Sequence, residues 1–193
     1  MNDRTQVYLL FGFSAAGKTT LGQHLAEFLK YRWIELDVPN QNTEQALRNV
    51  DPVLGQTWRD FRDRCDATGL RDGLLKQVAQ HSSLGVVAGF QSDVVLTPSQ
   101  CRCLQEAHVG CSILVGDRTR LLEAFLAREQ QTGRRLPAAH WQRHNMGQID
   151  AMNGRACREF EVDVFDRNGE RKLLTDLTAE IVNHQVLDGR VPT

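Results

Sequence analysis

The chain has 193 residues, 41% of them hydrophobic and 24% charged, with a formal net charge of −1. That length suits one domain with its own core, and the balanced charge gives no global basic field for nucleic acid or an anionic membrane, so neither is expected as a partner. No apolar stretch approaches bilayer length, and the polar start followed by a short apolar run lacks the pattern of a signal peptide, which makes the cytosol the expected compartment.

The first apolar run, residues 7–11, reads as a buried strand, and residues 18–30 read as a helix with Leu21, Leu25, Phe28 and Leu29 on one face. A second strand is expected over 33–36. The stretch 40–66 is polar, has a weak period and reads as a segment able to move. Residues 70–81 look amphipathic, and 85–88 form a third strand. Thr97-Pro98 supplies a cap and a first-turn proline for a helix over 98–107. A fourth strand covers 111–115. Asp117 then caps a helix through Arg128 with Leu121, Leu122, Phe125 and Leu126 on its apolar side.

Residues 130–136 are again polar and are read as able to move. Pro137 opens a long segment in which Trp141, Ile149, Met152 and Ala156 recur at helical spacing, although Gly147 and Gly154 weaken it. A fifth strand over 162–165 and a closing helix over 176–186 complete the chain. Strands alternating with helices predict a three-layer αβα sandwich on a mostly parallel five-stranded sheet, with ligands bound beyond the strand carboxyl ends. Gly12, Asp37, Gly89 and Asp117 fall at those ends.

Gly12-Phe13-Ser14-Ala15-Ala16-Gly17-Lys18-Thr19 fits the phosphate-binding pattern of two glycines, lysine and threonine at every fixed position. The two glycines let successive N–H groups converge on phosphate oxygens. The helix that follows, through Thr20, aims its positive end at the same point. Lys18 can bridge β- and γ-phosphates, and the Thr19 hydroxyl can ligate Mg²⁺. ATP and Mg²⁺ are the expected cofactors. There is no Asn-Lys-x-Asp guanine-reading motif, and the strand ending at Ala88 carries no acid for the metal.

Glu35 and Asp37 alternate with Leu36 and so share one face of the second strand. They read either as an Mg²⁺-side carboxylate and an orienter or base for an acceptor hydroxyl, or as two solvated acids. The five cysteines, Cys65, Cys101, Cys103, Cys111 and Cys157, are scattered and read as reduced thiols. His140 and His144 are four apart but lack the further ligands of a zinc site.

From Val7 to about Val186 the layout resembles the shikimate kinase family, with gluconate kinase as a relative; the glycine loop and the acidic strand end are its most specific parts. The resemblance implies that Asp37 holds the substrate hydroxyl, with Glu35 in place of the first acid of an Asp-x-Asp pair. It further implies that Arg62, in Phe61-Arg62, clamps a substrate carboxylate. Ala88-Gly89-Phe90 stands where the family has three glycines, and only Gly89 keeps one. Arg128 and Arg135, with Arg134 adjacent, match the two arginines of a mobile lid over about 128–140; the substrate-binding segment is about 37–72. Arg143 and Arg155 compete for a last substrate arginine. Asp166 to Gly169 forms either a loop touching adenine or an Asn-Gly turn.

The expected function is Mg²⁺-dependent transfer of the ATP γ-phosphoryl group to a hydroxyl of a small-molecule substrate, with Lys18, Asp37 and Arg135 catalytic. The chain would act as a monomer or weak homodimer. Two alternatives are a nucleoside or nucleotide kinase, with Phe13, Trp58 and Phe90 as a stacking pocket, and a non-catalytic ATP-binding regulatory module.

Overall fold

The computed structural model describes residues 6–79, 81, 83–153 and 157–187. Strand β1 (Val7–Gly12) is buried along its whole length, as a run of apolar residues covered on both faces must be. It pairs in parallel with β3 (Val86–Gly89) on one side and β4 (Val109–Val115) on the other. Strand β2 (Arg32–Glu35) joins the free edge of β3, and β5 (Glu161–Asp163) joins β4, giving the parallel order β2-β3-β1-β4-β5.

Helix α1 (Lys18–Leu29) follows β1 and packs on β1, β2 and β3, and α8 (Leu174–Leu187) packs on α1. Helices α4 (Ala67–Ala79) and α5 (Pro98–Glu106) pack on one another and on β1, β3 and β4, so the sheet is the middle of three layers. Helices α6 (Arg118–Gln131) and α7 (Ala138–Asn153) pack on each other after β4. Asp117 caps α6 through its Oδ1 and the Arg120 N–H (3.0 Å). No described helix is long and apolar enough to cross a membrane.

Two expectations fail. The stretch 40–66 holds two helices, α2 (Thr43–Val50) and α3 (Pro52–Arg64). The first is started by a capping box between Asn42 and Gln45, the second by Asp51 and the proline after it. Leu54, Trp58 and Phe61 then form one buried stripe. On α1, Phe28 is 65% exposed; the buried face runs through Leu21, Gly22, Leu25 and Ala26. Trp33 of β2 lies over that face, where a side-chain carbon at Gly22 or at Gly89 would strike its ring.

Candidate active site

The β1–α1 loop is held by two glycines for different reasons. Gly12 has φ +117, and a Cβ there would run into the Leu114 backbone of β4. Gly17 has φ +89 and is the N-cap of α1, with no side chain bonded across the helix start. The first N–H groups of α1 have no intrahelical acceptor by geometry, so they remain available to an anion.

The Lys18 side chain is buried and donates to the Gly12 carbonyl (3.0 Å) and the Phe13 carbonyl (2.9 Å). Burial lowers its pKa to about 8 from the usual 10.5; the charges of Asp37, Glu35 and Asp93 push it back up, and Arg128 pushes it down. The ammonium thus lies in the field of two strand-end loops and of α6. Thr19 and Thr20 follow on the exposed side of the helix start.

The middle of the loop is gripped from outside. The Ser14 N–H donates to Asn145 Oδ1 (2.8 Å), and Trp141 Nε1 donates to the Ser14 carbonyl (3.1 Å). Both partners stand on α7, and both are buried. The Trp141 ring also stacks on Phe13, with centroids 5.9 Å apart. Arg171, just after the turn that follows β5, donates twice to the Ala15 carbonyl (3.2 Å each). Ala15 itself has φ 68, in the left-handed region, while Ala16 is buried. Sequence reasoning missed Asn145, Trp141 and Arg171. Trp141 was legible only as a helical core position.

On the acidic side, Leu36 is buried and continues the β2–β3 ladder through its N–H to the Gly89 carbonyl (2.9 Å). Glu35 is half-buried, Asp37 is exposed, and Glu35 Oε1 accepts the Asp37 N–H (3.2 Å). Asp93 is a further acid in Lys18's field. It lies in the loop after β3, four residues past Gly89, so a search confined to the strand could not find it.

Phe13, Trp58 and Phe90 make no open stacking pocket: all three are buried, and Phe90 stacks on Phe11 (4.4 Å between centroids) and lies 4.9 Å from Trp58. Arg62 is exposed on α3, its carbonyl taking the Gln100 side-chain N–H (3.2 Å).

After α6 the chain turns at Gly133 (φ +71) and enters α7. Arg128 lies over the Phe125 ring and pairs with Glu129 Oε1 (3.1 Å). Glu129 is only 3% exposed, and its other carboxylate oxygen has no hydrogen-bond partner among the described residues. Arg134 and Arg135 are exposed and line a cavity of about 340 Å³ with Glu129, Leu126 and Leu136. Arg143 is exposed on α7, and Arg155 lies outside the described residues. The segment from Asp166 to Gly169 is a tight turn, with Asp166 Oδ1 accepting the Asn168 and Glu170 N–H groups (2.8 Å each). Through Arg171 this turn is tied to the glycine loop. No group of three or more His, Cys, Asp or Glu able to hold a metal ion occurs among the described residues.

No family model matches the chain. It is 40% identical over 60 residues to shikimate kinase 2 of Syntrophotalea carbinolica, a stretch covering 31% of this chain and 34% of that protein. Shikimate kinase 2 of Yersinia pestis is 38% identical over 60 residues, with the same coverage of 31% and 34%. The chain therefore spans about a third of the length of the curated relatives it matches. In fold it is similar to a gluconokinase from Sinorhizobium meliloti, with a TM-score of 0.50 at 18% identity over 95% of this chain and 94% of that one. Its likeness is thus to P-loop small-molecule kinases of the shikimate and gluconate kinase kind.

Proposed function

We propose that the chain is an ATP-dependent kinase that phosphorylates a hydroxyl of a small metabolite, acting as one domain over residues 1–193. The observation that carries this is Lys18: an ammonium buried in a glycine-flanked loop at a helix N-terminus, in the field of Asp37, Glu35 and Asp93. Such a loop suits the phosphates of a nucleotide, and carboxylates across from it suit the acceptor.

Asp37 orients the acceptor hydroxyl and takes its proton onto a carboxylate oxygen as the new O–P bond forms and the bond from the γ-phosphorus to the bridging oxygen breaks. Lys18 leaves its two carbonyls and neutralises the β- and γ-oxygens. Arg128, Arg134 and Arg135 form the lid over about 128–140, with Arg135 stabilising the charge that spreads over the transferring group. Thr19, Glu35 and Asp93 are an all-oxygen donor set of the kind a hard divalent cation takes, and Mg²⁺ held there would screen the phosphate charge. Within the substrate segment of about 37–72, Arg62 is the group for an acceptor carboxylate; outside that segment, Gly89 and Arg143 are the further residues proposed for the acceptor.

The test is a coupled ADP-release assay over shikimate, gluconate, other sugars, hydroxyl-bearing antibiotics and nucleoside monophosphates. One hydroxyl acceptor should stimulate ADP release. Lys18→Ala should abolish that release in a folded chain, and Asp37→Asn should lower it at least a hundredfold, the range of general-base effects, about 10²–10⁴. Wild-type turnover by Asp37→Asn would refute the acid's role. ATP affinity without acceptor-stimulated release would point to the regulatory module instead.

A further inference from the structure

We propose that Trp141, Asn145 and Arg171 are positioning residues that hold the Ser14–Ala15 stretch of the glycine loop in the shape that receives the nucleotide. This rests on the nucleotide-binding reading above and adds to it what fixes the loop.

Ala15 is the point of strain. Its φ of 68 belongs to a conformation that disfavours any residue with a Cβ. Lys30, Cys65 and His108 share that conformation at the ends of helices α1, α3 and α5, where it is common; Asn40 has a side chain that tolerates it, and Cys157 opens the short 3-10 turn before β5. Ala15 closes no helix and has no polar side chain to bond locally. Strained backbone of this kind persists only where its surroundings over-determine it.

Here they do. Ser14 has its N–H taken by Asn145 and its carbonyl by Trp141, and Ala15 has its carbonyl taken by Arg171. Three of the four backbone polar groups of Ser14 and Ala15 are thus fixed by side chains from two elements, α7 and the turn before α8. Asn145 is itself fixed, its Nδ2 donating to the Trp141 carbonyl one turn earlier (2.7 Å), and it is fully buried. The clamp takes the Ser14 N–H out of the set of loop amides expected to face phosphate, and none of its bonds uses an N–H of the α1 start. A loop already in its receiving shape loses less entropy when the phosphates bind.

ADP titration calorimetry and urea unfolding of the nucleotide-free chain test this. Trp141→Phe keeps a ring against Phe13 and deletes the N–H to Ser14. It should weaken ADP binding about tenfold, the size of one lost buried hydrogen bond. Asn145→Leu should do at least as much. The decisive readout is coupling to residue 15. Ala15→Gly accepts the left-handed shape without strain, so in that background Trp141→Phe should weaken ADP binding less than threefold. A merely structural Trp141 would lower the urea midpoint while leaving ADP affinity within twofold of wild type, and that result overturns the proposal. An undiminished tenfold loss in the Ala15→Gly background overturns it too. If the wild-type chain binds no ADP, the kinase reading falls together with the clamp.

Discussion

Lys18 carries the chemistry proposed here, and its protonation can be followed directly. Its pKa of about 8 is depressed because burial disfavours the ammonium more than the surrounding acids favour it. Between about pH 8 and 10.5 the unfolded lysine holds its proton and the folded one has released it. The unfolded state then binds more protons, so this group makes stability rise with pH across that window. For ligand binding the sign is reversed. A phosphate tail placed against Lys18 restores the ammonium, so at pH 8 the free chain should take up part of a proton on binding ADP. Calorimetry in two buffers of different ionisation enthalpy reads that uptake, which should shrink as the pH is lowered from 8 to 7. Equal heats in both buffers at pH 8 would contradict the shift.

The contact between Trp33 and two glycines shows how elements here are fitted to one another. Gly22 in α1 and Gly89 in β3 leave the space that the Trp33 ring fills. Gly22→Ala gains about 1 kcal/mol of helix propensity but overpacks a half-buried ring, which costs about 1–3 kcal/mol. The expected result is a net loss, about 1 kcal/mol by urea unfolding. In a Trp33→Leu background the clash is gone, and the same substitution should stabilise. Destabilisation in both backgrounds would show that the ring is not what excludes the side chain.

The strands were legible because β1, β3 and β4 are apolar runs that each end at a glycine, Gly12, Gly89 and Gly116, and the glycine loop was legible because its residue types sit at fixed spacing. Helices α2 and α3 were obscured by their polar residues, although the Asn42–Gln45 box and Asp51-Pro52 were written in the sequence. Phe28 was misplaced because Gly22 and Ala26, small and easily passed over, belong to the buried stripe that Trp33 covers. The bond from Ser14 to Asn145 joins residues 131 apart, and no local pattern announces such a pairing.

At the scale of the whole molecule, the candidate site is where three distant parts of the chain meet: the β1–α1 loop, α7 and the turn before α8. Helix α8 is also tied to α1, by its packing and by the hydrogen bond between His24 Nδ1 and Thr178 Oγ1 (2.9 Å). A ligand bound at this junction therefore opposes separation of the C-terminal elements from the rest. A ligand that binds only the folded state adds about 2.7 kcal/mol at a concentration of 100 Kd. For a chain of 193 residues each kcal/mol moves Tm by about 2–4 °C. ATP with Mg²⁺ at that concentration should therefore raise Tm by about 5–10 °C. Lys18→Ala should remove most of the rise. Trp141→Phe, with its tenfold weaker binding, should reduce the rise by about half at the same ligand concentration, because a tenfold change in Kd is worth about 1.4 kcal/mol. A wild-type Tm unmoved by millimolar ATP and Mg²⁺ would mean that no nucleotide bridges these three parts.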